Sequence, residues 1–164
     1  MTTIRVLAAA LLLVVVGCSQ PNARVQTRFN RDAELSGELP YNPLQWEVMA
    51  STLNRNDHTV ATVFGNDQAI AYARKNISHE YSAGSVISII TWSQQEDPRW
   101  FGGNILGKVR SVEFLEVQSG PDHGRTYLYS MYGGSPLRKL ISAEETSPTG
   151  RAAYLLAEQA AVMP

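Results

Sequence analysis

Three histidines, a pair of adjacent acids and a short series of tyrosines are the residues of this chain whose types could do chemistry. His58, His79 and His123 share no metal-ligand spacing on one element, so no zinc-type constellation is written into the sequence. His58 opens a predicted strand and His123 sits on a predicted hairpin tip, which favours solvated side chains. His79-Glu80 precedes a turn, where a surface hydrogen bond is the simplest role. Gln94-Gln95-Glu96-Asp97 followed by Trp100-Phe101-Gly102-Gly103 is the most unusual segment. It reads either as a pocket lip or lid, or as a solvated loop pinned by Trp100 in a side pocket. Tyr127, Tyr129 and Met131 share one face of a predicted strand, to line a cavity or to form a cross-strand packing ladder. With Trp92, Glu96, Asp97, Trp100 and Phe101, the two tyrosines make up the candidate pocket. No catalytic residue is assigned. Gly65-Asn66-Asp67 is a helix start without the glycines of a phosphate loop, and no GxSxG elbow is present.

The elements that must position these residues follow from periodicity. Trp46–Ser51 alternates weakly after Pro43, and His58–Phe64 is rich in β-branched residues. Asn66 or Asp67 is suited to cap a short helix with Ala69, Ile70, Ala73 and Ile77 on one side. Val86–Trp92 is apolar on both faces, as a covered central strand should be. A long polar segment, 93–108, separates it from Val109–Val117, which joins Arg125–Tyr132 through Gly120-Pro121-Asp122-His123-Gly124. A loop then leads to Ser147-Pro148, a helix start, and to an apolar stripe of Ala152, Leu155, Leu156, Ala160 and Met163. The expected fold class is α+β: an antiparallel sheet of about five strands, a short helix after the second strand, and a C-terminal helix packed on the sheet.

Composition narrows the function classes. Fourteen Lys+Arg against 15 Asp+Glu leave a formal net charge of −1, without the basic stripe that nucleic acid binding requires. Cys18 is the single cysteine and ends the apolar run Val6–Val16, which follows Arg5. That run is far shorter than the roughly 20 residues of a membrane span, so it fits a signal peptide over 1–17. Val15-Val16-Gly17-Cys18 resembles the lipobox of bacterial lipoproteins, in which the cysteine is lipidated (diacylglycerol and palmitate-type chains). The resemblance implies a membrane anchor, a tether over 18–38 and a domain over 39–164. Several chains hold firmly, since each buried CH₂ contributes about 0.8 kcal/mol while one chain alone is marginal. Ser19 after the cysteine resembles lipoproteins of the outer membrane that face the periplasm. An ordinary secretory peptide is the alternative.

The order of pieces in the domain is similar to that of the cytochrome P460 family. It comprises Leu39-Pro40-Tyr41, Trp46, the Phe64-Gly65-Asn66-Asp67 helix start, Ala69 and Ala73. Gly84-Ser85-Val86-Ile87, Trp92, Val112-Glu113-Phe114 and Tyr132-Gly133-Gly134 follow. The resemblance covers roughly 39–137. It implies a periplasmic, sheet-rich, commonly dimeric domain with c-type haem, in which some members oxidise hydroxylamine and others bind small gases. The family attaches haem through a CxxCH near the C-terminus; here that stretch is Arg151–Pro164, without cysteine or histidine. Some members crosslink a lysine to the porphyrin, and the lysines here are Lys75, Lys108 and Lys139. The expectation is therefore a degenerate haem site: no covalent haem, no cofactor, and a binding or interaction module for an unknown small ligand or protein partner. The alternative is a redox or gas-binding protein that holds haem non-covalently through His58 or His79.

Overall fold

The computed structural model describes residues 30–75, 81–145 and 149–157, and a compact body begins at Arg31. Cys18, Ile77, His79, Ser147-Pro148, Ala160 and Met163 lie outside the described residues. Six antiparallel strands pair in chain order: β1 (Glu47–Asn54), β2 (Thr59–Gly65), β3 (Val86–Glu96), β4 (Asn104–Ser119), β5 (Arg125–Gly133) and β6 (Arg138–Glu145). Helix α1 (Asp67–Lys75) follows β2, and α2 (Gly150–Ala157) follows β6. The α+β class holds, with one strand more than expected. The stretch around β6 reads as a loop in sequence because its residues are mostly exposed at the sheet edge, so no apolar alternation marks it.

Alternation along β3 and β4 sorts their side chains onto two faces. On the first face Ile87, Ile89, Leu115 and Val117 meet Met49 and Val63. The two helices cover them with Ala69, Ile70 and Ala73 from α1, and with Ala152, Leu155 and Leu156 from α2. The stripe expected on the last helix therefore docks on the sheet. Helix α1 starts where the sequence places it: Asn66 Oδ1 accepts from the Ala69 N–H at 3.0 Å and from the Val86 N–H at 3.1 Å, which ties the helix cap to the start of β3.

On the second face Phe64, Ile90, Trp92, Val112, Phe114 and Tyr132 form another cluster. No helix covers it. The N-terminal strap 31–46 does, through Ala33, Leu35, Leu39 and Trp46. The Trp92 Nε1–H donates to the Ala33 carbonyl at 3.0 Å, and Phe114 packs edge-on against Tyr132 and Trp46. Residues 31–38, expected in the tether, are thus part of the packed body; their apolar residues are too widely spaced to show a period. Gly37 forms a bridge to Leu137 at φ +131, where a Cβ would collide with the Leu137 backbone.

The polar segment 93–108 is not a loop. β3 runs to Glu96 and β4 begins at Asn104, with Gln94 opposite Leu106, Gln95 opposite Ile105 and Glu96 opposite Asn104. β2 ends its pairing with β3 at Ser93, and β5 ends its pairing with β4 at Ser111. The hairpin therefore runs on as a two-stranded arm. Both faces of such a ribbon meet water, which explains why its strands are polar.

Candidate functional site

Glu113 is the one carboxylate buried among the described residues, 4% exposed on the first face of β4. Its Oε2 accepts from Tyr129 Oη–H at 2.8 Å and from Arg151 Nε–H at 2.8 Å, and its Oε1 accepts from Arg151 Nη2–H at 3.1 Å. The bidentate fork neutralises the carboxylate, and the guanidinium rests over the Tyr154 ring at 4.8 Å. Burial, with the hydrogen bond to Glu113 second, holds the Tyr129 pKa far above the usual tyrosine value. The hydrogen bond to Glu113 likewise raises the Arg151 pKa. Tyr129 is a fixed donor, and the lone pairs of Glu113 are engaged. The cluster fastens α2 to the sheet and offers no free base. Its sequence signal was Glu113 itself, an acid set between Val112 and Phe114-Leu115.

The second face carries an opening beside the strap. A cleft of about 510 Å³ lies between the strap and the β4–β5 end of the sheet, lined by Arg31, Asp32, Glu34, Lys108, Arg110 and Ser135 among others. Lys108 and Arg110 flank Val109 on β4, where the pairing with β3 is irregular, and all three line the cleft. Among the described residues none of the three cations lies in an ion pair. The acids Asp32 and Glu34 sit on the opposite wall, on the strap. A ligand of mixed polarity with an anionic group is what such walls can hold. The sequence signal was Lys108-Val109-Arg110, passed over because it lay at the end of a segment read as loop.

The residues of the sequence-derived pocket are not brought together. Trp92 is buried in the second-face cluster, while Tyr127 and Tyr129 pack against the first-face cluster on the other side of the sheet. Glu96 and Asp97 end the arm, and Trp100 and Phe101 form its tip at 75% and 105% exposure. Neither the side pocket nor the lid expected for Trp100 is formed. His58 is exposed at φ +49 in the β1–β2 turn, one residue before the strand it was expected to open. His123 falls in the β4–β5 connection as expected.

An iron porphyrin of the c-type needs thioether cysteines and an axial ligand. The chain's single cysteine is Cys18. No histidine, cysteine or methionine lines the 510 Å³ cleft or the two smaller clefts beside the strap, and Met49 is fully buried in the core. Among the described residues no three His, Cys, Asp or Glu side chains converge on a metal position. The described donor set does not fit a thioether-bound haem.

No curated protein matches the chain. The family model of cytochrome P460 matches residues 41–149, a span that contains all six strands, α1 and the cleft wall on β4 and β5. The chain belongs to the cytochrome P460 family.

Proposed function

We propose that this cytochrome P460-family domain is a lipid-anchored envelope protein that works as a binding module without covalent haem, and that its ligand site is the cleft under the strap. The observation that carries the reading is the gathering of Lys108, Arg110 and Arg31 around an open volume of about 510 Å³, all three cations without an acidic partner among the described residues. The ligand class is a small polar molecule with a carboxylate or similar anionic group, its remaining polar groups met by Asp32, Glu34 and Ser135. Anchoring rests on Cys18 at the end of the apolar run Val6–Val16. No enzymatic step is assigned.

Three measurements test the proposal. A panel of small di- and tricarboxylates should raise the melting temperature of the wild-type protein, as any ligand that binds the native state alone must. The shift should vanish in Lys108→Ala/Arg110→Ala. No shift across the panel defeats the cleft reading. Tight one-to-one binding of haemin with a Soret band near 400 nm (the order of any haem), lost in His58→Ala or His79→Ala, defeats the haem-free reading. Incorporation of a labelled fatty acid, abolished by Cys18→Ala, tests the anchor; its absence from the wild-type chain refutes it.

A further inference from the structure

The arm ends in two large aromatic side chains that are mostly exposed. Trp100 is 75% exposed and Phe101 105%, the most exposed large apolar residues described. Soluble surfaces tolerate single exposed apolar residues, but two adjacent aromatics raised on a projecting ribbon are a different feature. The tip is also ordered. The Asp97 N–H donates to the Gly103 carbonyl and the Gly103 N–H to the Trp100 carbonyl, each at 2.9 Å, so the turn is closed by its own backbone. The Asp97 carboxylate is turned inward: its Oδ1 accepts from the Arg99 N–H at 2.8 Å and faces Arg99 Nε at 3.4 Å. The acid nearest the tip is thus already engaged, while the Arg99 side chain stays mostly exposed beside Trp100. An aromatic pair with one adjacent guanidinium, no free carboxylate between them and a preformed backbone suits the boundary between phospholipid headgroups and acyl chains.

We infer that the Trp100-Phe101 tip inserts into the headgroup–acyl boundary of the phospholipid bilayer that holds the lipidated Cys18, as a second contact that orients the domain. The inference rests on the lipid-anchor reading of the proposed function. The place where the chain enters the body supports this occupant. Arg31 lines the cleft with Lys108, at the base of the arm, so the tether joins the body at the end of the sheet from which the arm projects. Residues 18–31 span at most roughly 45 Å when extended. The arm from Gln94 to its tip reaches roughly 15–20 Å at strand rise. An anchor at Cys18 therefore allows the tip to meet the same membrane. Among the described residues no helix is long and apolar enough to cross it. Arg99 is already paired with Asp97, so the contact is carried by the aromatic pair and is insensitive to salt.

The test uses the full chain, purified from a bacterial host and mixed with vesicles of phosphatidylethanolamine and phosphatidylglycerol, with and without acyl-brominated lipid. Trp92 is buried and Trp46 half-buried, so the signal of interest is the emission lost in Trp100→Phe. The expected result is a blue shift and quenching by brominated lipid in the wild type. Both should be lost in Trp100→Phe, weakened in Phe101→Ser, and retained at high salt. Intact mass separately reports acylation of Cys18. An acylated chain that sediments with vesicles but shows no Trp100 quenching overturns the tip insertion and leaves the anchor standing. A chain that is not acylated refutes the anchor, and the same quenching with added vesicles still decides the tip: present, it supports insertion; absent, it overturns it. Burial of Trp100 without vesicles, growing with protein concentration, assigns the tip to a second copy of the chain and overturns the membrane contact.

Discussion

Glu113 and Ser88 sit on neighbouring strands and face opposite ways, both hidden from solvent. Glu113, on the helix-covered face, is met by the Tyr129 hydroxyl and by two nitrogens of Arg151. Ser88, on the strap-covered face between Phe64 and Phe114, has a hydroxyl without a hydrogen-bond partner among the described residues. A buried charge without partners is far costlier than a buried hydroxyl, so the fold brings α2 to the first and leaves the second to its apolar neighbours. The helix face is held by apolar packing and a charged fastener. The strap face is held by aromatic and aliphatic contact, with a few hydrogen bonds such as Trp92 to Ala33 and Leu137 to Ser36 and no ion pair among the described residues.

Substitutions can break that contrast. The largest effect is expected for Phe114→Ala, which empties the centre of the strap face where Tyr41, Trp46 and Tyr132 meet. It should cost about 3–5 kcal/mol in denaturant unfolding and lower hydrogen-exchange protection across 31–46. Unchanged protection of the strap would show that Phe114 does not hold it. Leu155→Ala should cost about 2–3 kcal/mol, because a site near the end of a short helix can partly collapse, and its loosening should be confined to α2. Equal loss of protection in strap and helix would mean that the two faces do not act separately.

Arg151→Ala should follow at about 1–3 kcal/mol, since it leaves Glu113 buried with only Tyr129 as donor. Adding Glu113→Gln to that variant should recover part of the loss; strict additivity in the double-mutant cycle would deny the coupling. The same cluster predicts an alkaline weakness. Tyr129 has a raised pKa in the folded protein, so its contribution is complete below about pH 10, the ordinary tyrosine value. As pH rises above that value the unfolded chain releases the proton first and stability falls. Tyr129→Phe should flatten this part of the pH profile, and an unaltered slope would remove Tyr129 from the account. The smallest effect belongs to Ser88→Ala, between no change and about 1 kcal/mol of stabilisation, because a hydroxyl without a partner is replaced by a methyl. A clear destabilisation would reveal a partner for Ser88.

The same contrast governs how much of the molecule could be read from its residues. The helix face was legible because its coverings are regular: Asn66 marks one helix start, and Leu155 and Leu156 mark the stripe of the other. The strap was not, since an extended covering buries only alternate residues such as Ala33 and Leu35 and leaves no helical or strand period. β6 escaped notice because an edge strand buries little, and the arm because a two-stranded ribbon in water has no apolar side. The candidate pocket failed on parity. Trp92 and Tyr129 belong to alternation patterns that point through opposite faces, and strand register, which decides this, cannot be read from one sequence. The cleft cations could not be grouped from spacing alone, because the pairing of β3 with β4 is irregular opposite Lys108 and Arg110 and strand alternation does not predict where they point.

The bridge between Gly37 and Leu137 sets an order of events as well as a contact. The six strands pair in chain order, so each can join its predecessor as soon as its own residues exist, over short loops everywhere but between β2 and β3, where α1 intervenes. The strap can do nothing of the kind. Its seat on Trp92, Phe114 and Leu137 comes into being only when β3, β4 and the connection into β6 are in place, although the strap itself is made first. It must wait for most of the sheet and then close a loop of about a hundred residues. The first segment of the body to be synthesised is thus sealed late, and the cleft it lines takes shape only with that closure.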